Sequence, residues 1–454
     1  MRKKFLQSSA IVLLAAVVAG TTLGCSGKQS SGNSSGKSAG GPVTVTVMQQ
    51  NDASHNYFAQ IGEDFTKLHS NVKIKYIGVP YDNFDSKLQT MLASDTQPDI
   101  TTHVQLMGFM DYYKKGLLTD LTPYIQKYKF DAQKDGIPDQ IMKMANVDGK
   151  QWGIPLNTFT TVMLINKDLF DKAGVACPPT DYGDTSWTFD KMIEAAKKLT
   201  SGSGNNKTYG LYWAWNGGGA MQDPDYFGTS LFPADALKTG QATSNNFAQA
   251  DVIKAYQNIA DLTFKYGVSP TPAYVSALAG SNSSDPFLSG KIAMEVEGSW
   301  GLAGINDVPF KVGVAAVPVG SNPKVRAVTY TDPYFVLKGS KHPDEAFQYL
   351  AYLAQPDNQI KMVKQSGNAP SSTQALDALY KNFKTVPAKD LSNVVEGSYA
   401  YSEEDLEHMI CGSGQIHTLI QNEMQVVDNG TKSAKEVCVP LTDKLNALLK
   451  TIKK

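Results

Sequence analysis

Apolar and polar residues alternate at the start of the folded part of this chain: Val43, Val45 and Val47 are interleaved with Thr44 and Thr46, the two-residue period of a half-buried strand. The period then lengthens. Phe58, Ile61, Phe65 and Leu68 recur three and four residues apart, which predicts a helix with one buried face. Val72, Ile74 and Tyr76 return to strand spacing, Phe84, Leu88, Met91 and Leu92 to helical spacing, and Pro98-Asp99-Ile100 opens a third short strand. This β-α-β-α-β order predicts an α/β fold with a mainly parallel sheet and helices on both faces. In such sheets ligands gather beyond the carboxyl ends of the strands. Here those ends are Gln49 to Asp52, Val79 to Asp82 and Thr101 to His103.

A different pattern precedes this region. Arg2, Lys3 and Lys4 form a positive start, and Phe5 to Gly20 is an uncharged stretch carrying Ile11, Val12, Leu13, Leu14, Val17 and Val18, which predicts a secretory signal. The stretch is shorter than the roughly 20 residues a spanning helix needs, and small residues come after it, so cleavage is expected rather than a transmembrane anchor. Leu23-Gly24-Cys25 resembles the bacterial lipoprotein box. That resemblance implies that 1–25 is a signal peptide, that Cys25 is lipidated, and that the protein is extracytoplasmic and held at the membrane through a lipid anchor. Residues 26–41 are almost wholly Ser, Gly, Lys, Asn and Gln, too poor in apolar surface to fold, and are expected to act as a flexible linker.

The chain has 454 residues, 42% of them hydrophobic, with a formal net charge of -1. The stretch from Pro42 onward is too long for one ordinary core and suits two domains. The balanced charge removes the electrostatic footprint of a nucleic-acid binder. Cys177, Cys411 and Cys438 form no CxxC pair, and an exported protein permits a disulfide among them without their spacing assigning one. The six histidines show no metal-ligand spacing, so neither a metal nor a cofactor is expected.

Several phrases carry a wider resemblance. Asp148-Gly149-Lys150-Gln151-Trp152-Gly153-Ile154-Pro155 is followed by Leu164-Ile165-Asn166-Lys167-Asp168-Leu169-Phe170, by Trp187-Thr188-Phe189-Asp190, and later by Phe287-Leu288-Ser289-Gly290-Lys291-Ile292-Ala293-Met294 with Gly298-Ser299-Trp300. Taken in order, with Ser340 to Ala346 and Gly367 to Ser372, they resemble the family-1 extracellular solute-binding proteins, carbohydrate receptors of ABC importers. The resemblance implies two α/β lobes joined by crossing strands near Ile154 to Thr161, Val314 to Pro318 and Met362 to Gly367. Residues 42–156 plus about 316–364 would form the first lobe, and 157–315 plus about 365–454 the second. The implied partners are a carbohydrate ligand and the transmembrane subunits of an ABC permease, with the receptor itself a monomer.

A pyranose offers an apolar face that packs on an aromatic plane and a rim of hydroxyls that needs donors and acceptors. Trp300 meets the first demand: it ends a Gly-Ser turn after a strand, and the family places an aromatic against the sugar there, the other reading being a core tryptophan that plugs the lobe. In Tyr212-Trp213-Ala214-Trp215 strand alternation turns Trp213 and Trp215 to one face, and one of the two is expected to meet ligand, the other reading being a pair packed inside the second lobe. Tyr330, Asp332 and Tyr334 add stacking faces and a carboxylate, where family members often carry a glycine-rich stretch; packed tyrosines at a Pro-containing turn are the equal alternative. Asn51 and Asp52 follow the first strand and His103 the third, all three being candidates for ligand contact, although Asn and Asp also cap helices. Trp152 and Trp187 are expected to be packing residues.

Enzyme classes find little support. Glu295 and Glu297 share one strand face, whereas a glycosidase places its two carboxylates on either side of the scissile bond. Gly202-Ser203-Gly204 lies in a polar loop and not at a strand-to-helix elbow. The expected function is capture of a sugar, an oligosaccharide by preference, for delivery to a permease. A receptor for a non-sugar solute and an exported carbohydrate-active enzyme remain the alternatives.

Overall fold

The computed structural model describes residues 41–50, 57–105, 107–214, 221–279 and 285–452. The candidates Cys25, Asn51, Asp52 and Trp215, with the signal segment, fall outside them.

The first alternating stretch folds as its spacing predicts. Strand β1 (Val43–Gln50) is followed by helix α1 (Tyr57–Leu68), β2 (Val72–Val79), α2 (Phe84–Ala93) and β3 (Ile100–Thr101), with α3 (Phe109–Lys114) next. β1 pairs in parallel with β2 on one side and β3 on the other. Phe58, Ile61 and Phe65 of α1 are buried against Val45 and Val47 of β1.

The chain then enters β4 (Ile154–Asn166), thirteen residues long and buried throughout. Its threonines and Asn166 are tolerated there because their side-chain oxygens are paired. Thr331 donates to the Asn157 carbonyl at 2.6 Å, the hydroxyls of Thr160 and Ser398 lie 2.5 Å apart, and Thr161 Oγ1 accepts from the Val328 amide at 3.0 Å. Helix α4 (Phe189–Leu199) is capped by Thr188, whose side chain accepts from the Lys191 amide. After it come β5 (Tyr212–Trp213), α5 (Ala250–Phe264), β6 (Met294–Gly298), β7 (Val312–Ala315) and β8 (Ala327–Val336). Helices α6 (Pro343–Ala354), α7 (Pro356–Ser366) and α8 (Ala388–Ala400), the short strand β9 (Ser402–Glu404), and helices α9 (Ser413–Asp428) and α10 (Ala434–Thr451) lead to the carboxyl end.

The main sheet runs β2-β1-β3-β8-β4-β6-β5, with β9 on β8 and β7 on β4. β8 is antiparallel to β3, and also to β4. Two principal cores flank this ladder. One gathers Val45, Phe58, Ile154, Tyr334 and Leu350; the other gathers Val162, Leu164, Trp213, Val296 and Val394. β4 and β8 contribute to both, so these two strands carry the chain between two α/β lobes.

Near the second expected crossing the chain packs beside the second core. Val314, Ala315, Ala316 and Val317 pack wholly in the second core, where Val314 pairs with Leu164, and Val319 still bonds to Trp187. Along β8 the packing passes from the second core at Val328 to the first at Tyr334 and Val336. Near the third expected crossing, Met362 packs in the first core and Val363 in the second.

The segment between β9 and α9 reaches across to the first lobe. Cys411 packs among Met48, Phe84, Phe109 and Phe335, and the Met110 amide donates to the His408 carbonyl. A Cβ on Gly108 would lie 2.6 Å from that carbonyl oxygen, so the close approach there requires glycine. Cys177 is exposed, Cys411 and Cys438 are buried, and all three are free thiols.

Candidate functional site

β6 runs out at Gly298 into a single 3-10 turn, Ser299–Leu302, that presents Trp300. The indole folds back over the strand end: a Cβ on Gly298 would come 2.1 Å from its ring carbon Cζ3. Phe159 on β4 and Tyr330 on β8 are cross-strand partners, and their rings stack at 5.0 Å. Trp300 meets Phe159 edge-on at 5.8 Å and lies 5.9 Å from Tyr330. Phe159 is buried beneath, while Trp300 and Tyr330 are partly exposed. The result is an aromatic shelf where the lobes meet.

Polar groups surround this shelf. Asp332 lies where the β4–β8 register shifts, and its carboxylate sits 2.8 Å from His103 Nε2. The His103 ring stacks on His408 at 4.5 Å, and His408 lies 6.3 Å from Tyr330. Gln222 Nε2 donates to Asp405 at 3.2 Å and to Glu407 at 2.7 Å, and His417 Nδ1 is 2.6 Å from the other Glu407 oxygen. Tyr330, Glu404, Asp405 and His408 line one small shared cavity. Tyr81, just beyond β2, is 49% exposed, and Glu407 and Asp332 are among the charges that act on its phenol.

Burial dominates the electrostatics. It raises Glu297 to about 8, Glu404 to about 7 and Asp405 to about 7, with Asp285 adding to the first and Glu407 to the last. His408 is lowered to about 4 by burial and by His103, so it is a neutral ring at physiological pH. His417 is raised by its bond to Glu407. Glu295 is fully buried beside Asp285 and Glu297, and its carboxyl is held well above the usual range. No cluster of ligating side chains among the described residues is arranged to hold a metal ion.

This chain matches the model of the bacterial extracellular solute-binding proteins over residues 51–360. The chain belongs to that family. Its members are binding proteins for extracellular solutes. A binding protein of Brucella abortus is 24% identical over 416 residues, spanning 90% of this chain and 94% of the relative. The sn-glycerol-3-phosphate-binding periplasmic protein of the same species is 22% identical over 410 residues, 84% of this chain and 87% of the relative. Among solved structures, an ABC substrate-binding protein of Listeria monocytogenes in complex with cycloalternan superposes with a TM-score of 0.76 at 25% identity, covering 91% of this chain and all of that one.

Within this solute-binding protein the sequence candidates separate. Trp300, Tyr330, Asp332 and His103 come together at the shelf. Trp213 does not: it is 1% exposed, edge-on to Tyr226 at 5.2 Å and packed by Phe189 and Phe227, so its indole is part of the second core. β5 is only two residues long, and its alternation distinguishes two faces without saying which one is the core. Tyr334 is likewise a core residue. By that point β8 has entered the first lobe, and the ring lies against Phe58 while its hydroxyl accepts from Gln49. Trp152 and Trp187 spend their indole N–H groups on the carbonyls of Val147 and Ala316, as packing residues do.

Phe159, Gln222, Glu404, Asp405 and His408 gather around this candidate shelf without having been singled out in the sequence. Tyr81 had one available signal, its place just past a strand end. The 404–408 segment had none, because β9 reaches the site by pairing in parallel with β8, Ala327 opposite Ser402.

Proposed function

We propose that this protein is the receptor of an ABC importer and captures a saccharide, by preference an oligosaccharide, between its two lobes. The observation that carries this reading is the Trp300–Tyr330 shelf bordered by Asp332, Glu297 and Asp405: an apolar plane for a sugar ring beside acceptors for its hydroxyls. The cycloalternan complex of the Listeria protein supports the same ligand class. The first lobe comprises residues 42–156 with the stretch from β8 to Met362, and the second comprises 157–326 with the remainder. Asn51, Asp52 and Trp215 flank the ligand in this reading, and Cys25 carries the lipid that holds the receptor, a monomer, beside its permease.

Binding proceeds by closure of the lobes about β4 and β8, a mode of motion open to two-lobed receptors. Thermal-shift screening of the folded part against a sugar panel tests the reading, since a ligand that binds only the native state raises its melting temperature. A saccharide that stabilises the protein and is recovered intact after prolonged incubation is the expected result. Stabilisation by a non-sugar solute alone, or recovery of cleaved sugar, would overturn it.

A further inference from the structure

The polar side of the cleft is one-sided in charge. Glu297 from β6, Asp332 from β8, Glu404 and Asp405 from β9 and its exit, and Glu407 beyond them all face the region around the aromatic shelf. The charges that act most strongly on Tyr330 are Asp332, Asp405, Glu297 and Glu407. Among the described residues, no lysine or arginine is a principal charged neighbour of Glu297, Asp405, Glu407 or His408. His417 offsets Glu407, and His408 is neutral. Residues 51–56 and 215–220, outside the described set, contain no lysine or arginine either.

A second observation lies inside the cluster. Gln222 is 5% exposed and spends its amide N–H groups on Asp405 and Glu407, while its Oε1 has no partner among the described residues. His103, 2% exposed, bonds Asp332 through Nε2 and leaves Nδ1 likewise without a partner. The buried groups therefore hold acceptor capacity in excess of donors, next to rings whose faces attract cations. A sugar hydroxyl brings one donor; an ammonium brings three donors and the missing charge. A phosphate or a uronate brings neither, and would be repelled.

We propose that the cleft selects saccharides bearing a protonated amine, amino sugars or their oligomers, over their neutral counterparts and excludes anionic ones. This preference rests on the saccharide reading and names the class within it. The protons that Glu297, Glu404 and Asp405 retain when no ligand is bound are then displaced by the ligand's charge, so binding an amine at neutral pH releases protons into solution.

Calorimetry on the folded protein with matched sets tests this: glucose, galactose and mannose with their 2-amino forms, and β-1,4-linked trisaccharides of glucose, glucosamine, N-acetylglucosamine and galacturonate. In at least one set the amine member is expected to bind roughly tenfold or more tighter than the hydroxyl member, as a charge-assisted bond replaces a neutral one. Titration in two buffers of different ionisation heat should show proton release for the amine alone. In Glu297→Gln and Glu404→Gln the amine preference should narrow; the buffer comparison needs no variant and stands even where one fails to fold. If sugars bind but the hydroxyl or carboxylate members match or exceed the amine in every set, the proposal is overturned and the saccharide reading survives. If no sugar of any charge binds the folded protein, both fall.

Discussion

Replacing Trp300 by alanine removes the outer plane of the shelf. A sugar ring lying on one face of the indole covers about 80 Å² of apolar surface, worth about 2 kcal/mol at about 25 cal/mol per Å², so affinity should weaken by roughly thirtyfold. The fold should lose less than a fully buried tryptophan would cost. Trp300 touches Phe159 edge-on and Tyr330 at a tilt but remains partly exposed, so its truncation should lower stability by about 1–2 kcal/mol, short of the roughly 3–5 kcal/mol of a core aromatic. Titration calorimetry and a ligand-free melting curve on the same preparation separate the two effects. Unchanged affinity together with a core-sized drop in melting temperature would falsify the stacking role and leave Tyr330 as the platform.

Gly298→Ala should reproduce much of that affinity loss without touching the indole, because the added methyl overlaps the Trp300 ring and forces it out of place; intrinsic fluorescence should report the shift, and an unmoved spectrum with native affinity counts against the geometry. Glu297, Glu404 and Asp405 keep protons in the folded protein that the unfolded chain has already released, and His417 is raised in the same sense, so ligand-free stability should fall as pH rises from about 6.5 to 8. His408, lowered to about 4, opposes this slope only below its ordinary value of 6.5; a melting temperature that climbs between 6.5 and 8 contradicts the assignment, and Glu297→Gln should flatten the fall. Cys25→Ser should release the receptor from the membrane fraction or leave it unprocessed, and an unaltered distribution on fractionation would remove the lipid anchor.

Residues 43–50 and 57–101 were legible from spacing alone, because strands and helices there alternate cleanly. The site was legible in part. Trp300 stood out through its turn and family phrase, and Tyr330 and Asp332 through an unusual stretch of tyrosines and a carboxylate. The contribution of 404–408 was hidden, since a three-residue strand that pairs with a partner some seventy-five positions earlier leaves no periodic trace. For Trp213 and Tyr334 packing and ligand contact stayed open in the sequence for a related reason. Aromatics read the same in a string whether a core or a cleft receives them, and only the neighbours supplied by distant chain segments decide between the two.

The register shift at Asp332 sits on the ladder that joins the two cores, which places the carboxylate close to the axis about which the lobes would turn. A group on an axis has no lever arm. If the lobes turn about this ladder, Tyr330 and Asp332 keep nearly the same position whether the receptor is open or shut, and Trp300, packed against Phe159 and Tyr330, moves little more, whereas groups farther from the ladder travel along an arc. Under such closure an arriving solute would meet a surface already in its final form at the axis, and the swinging groups would join afterwards. Closure about that ladder would leave capture speed to the axial pair and residence time to the parts that move, so that different residues would tune the two rates.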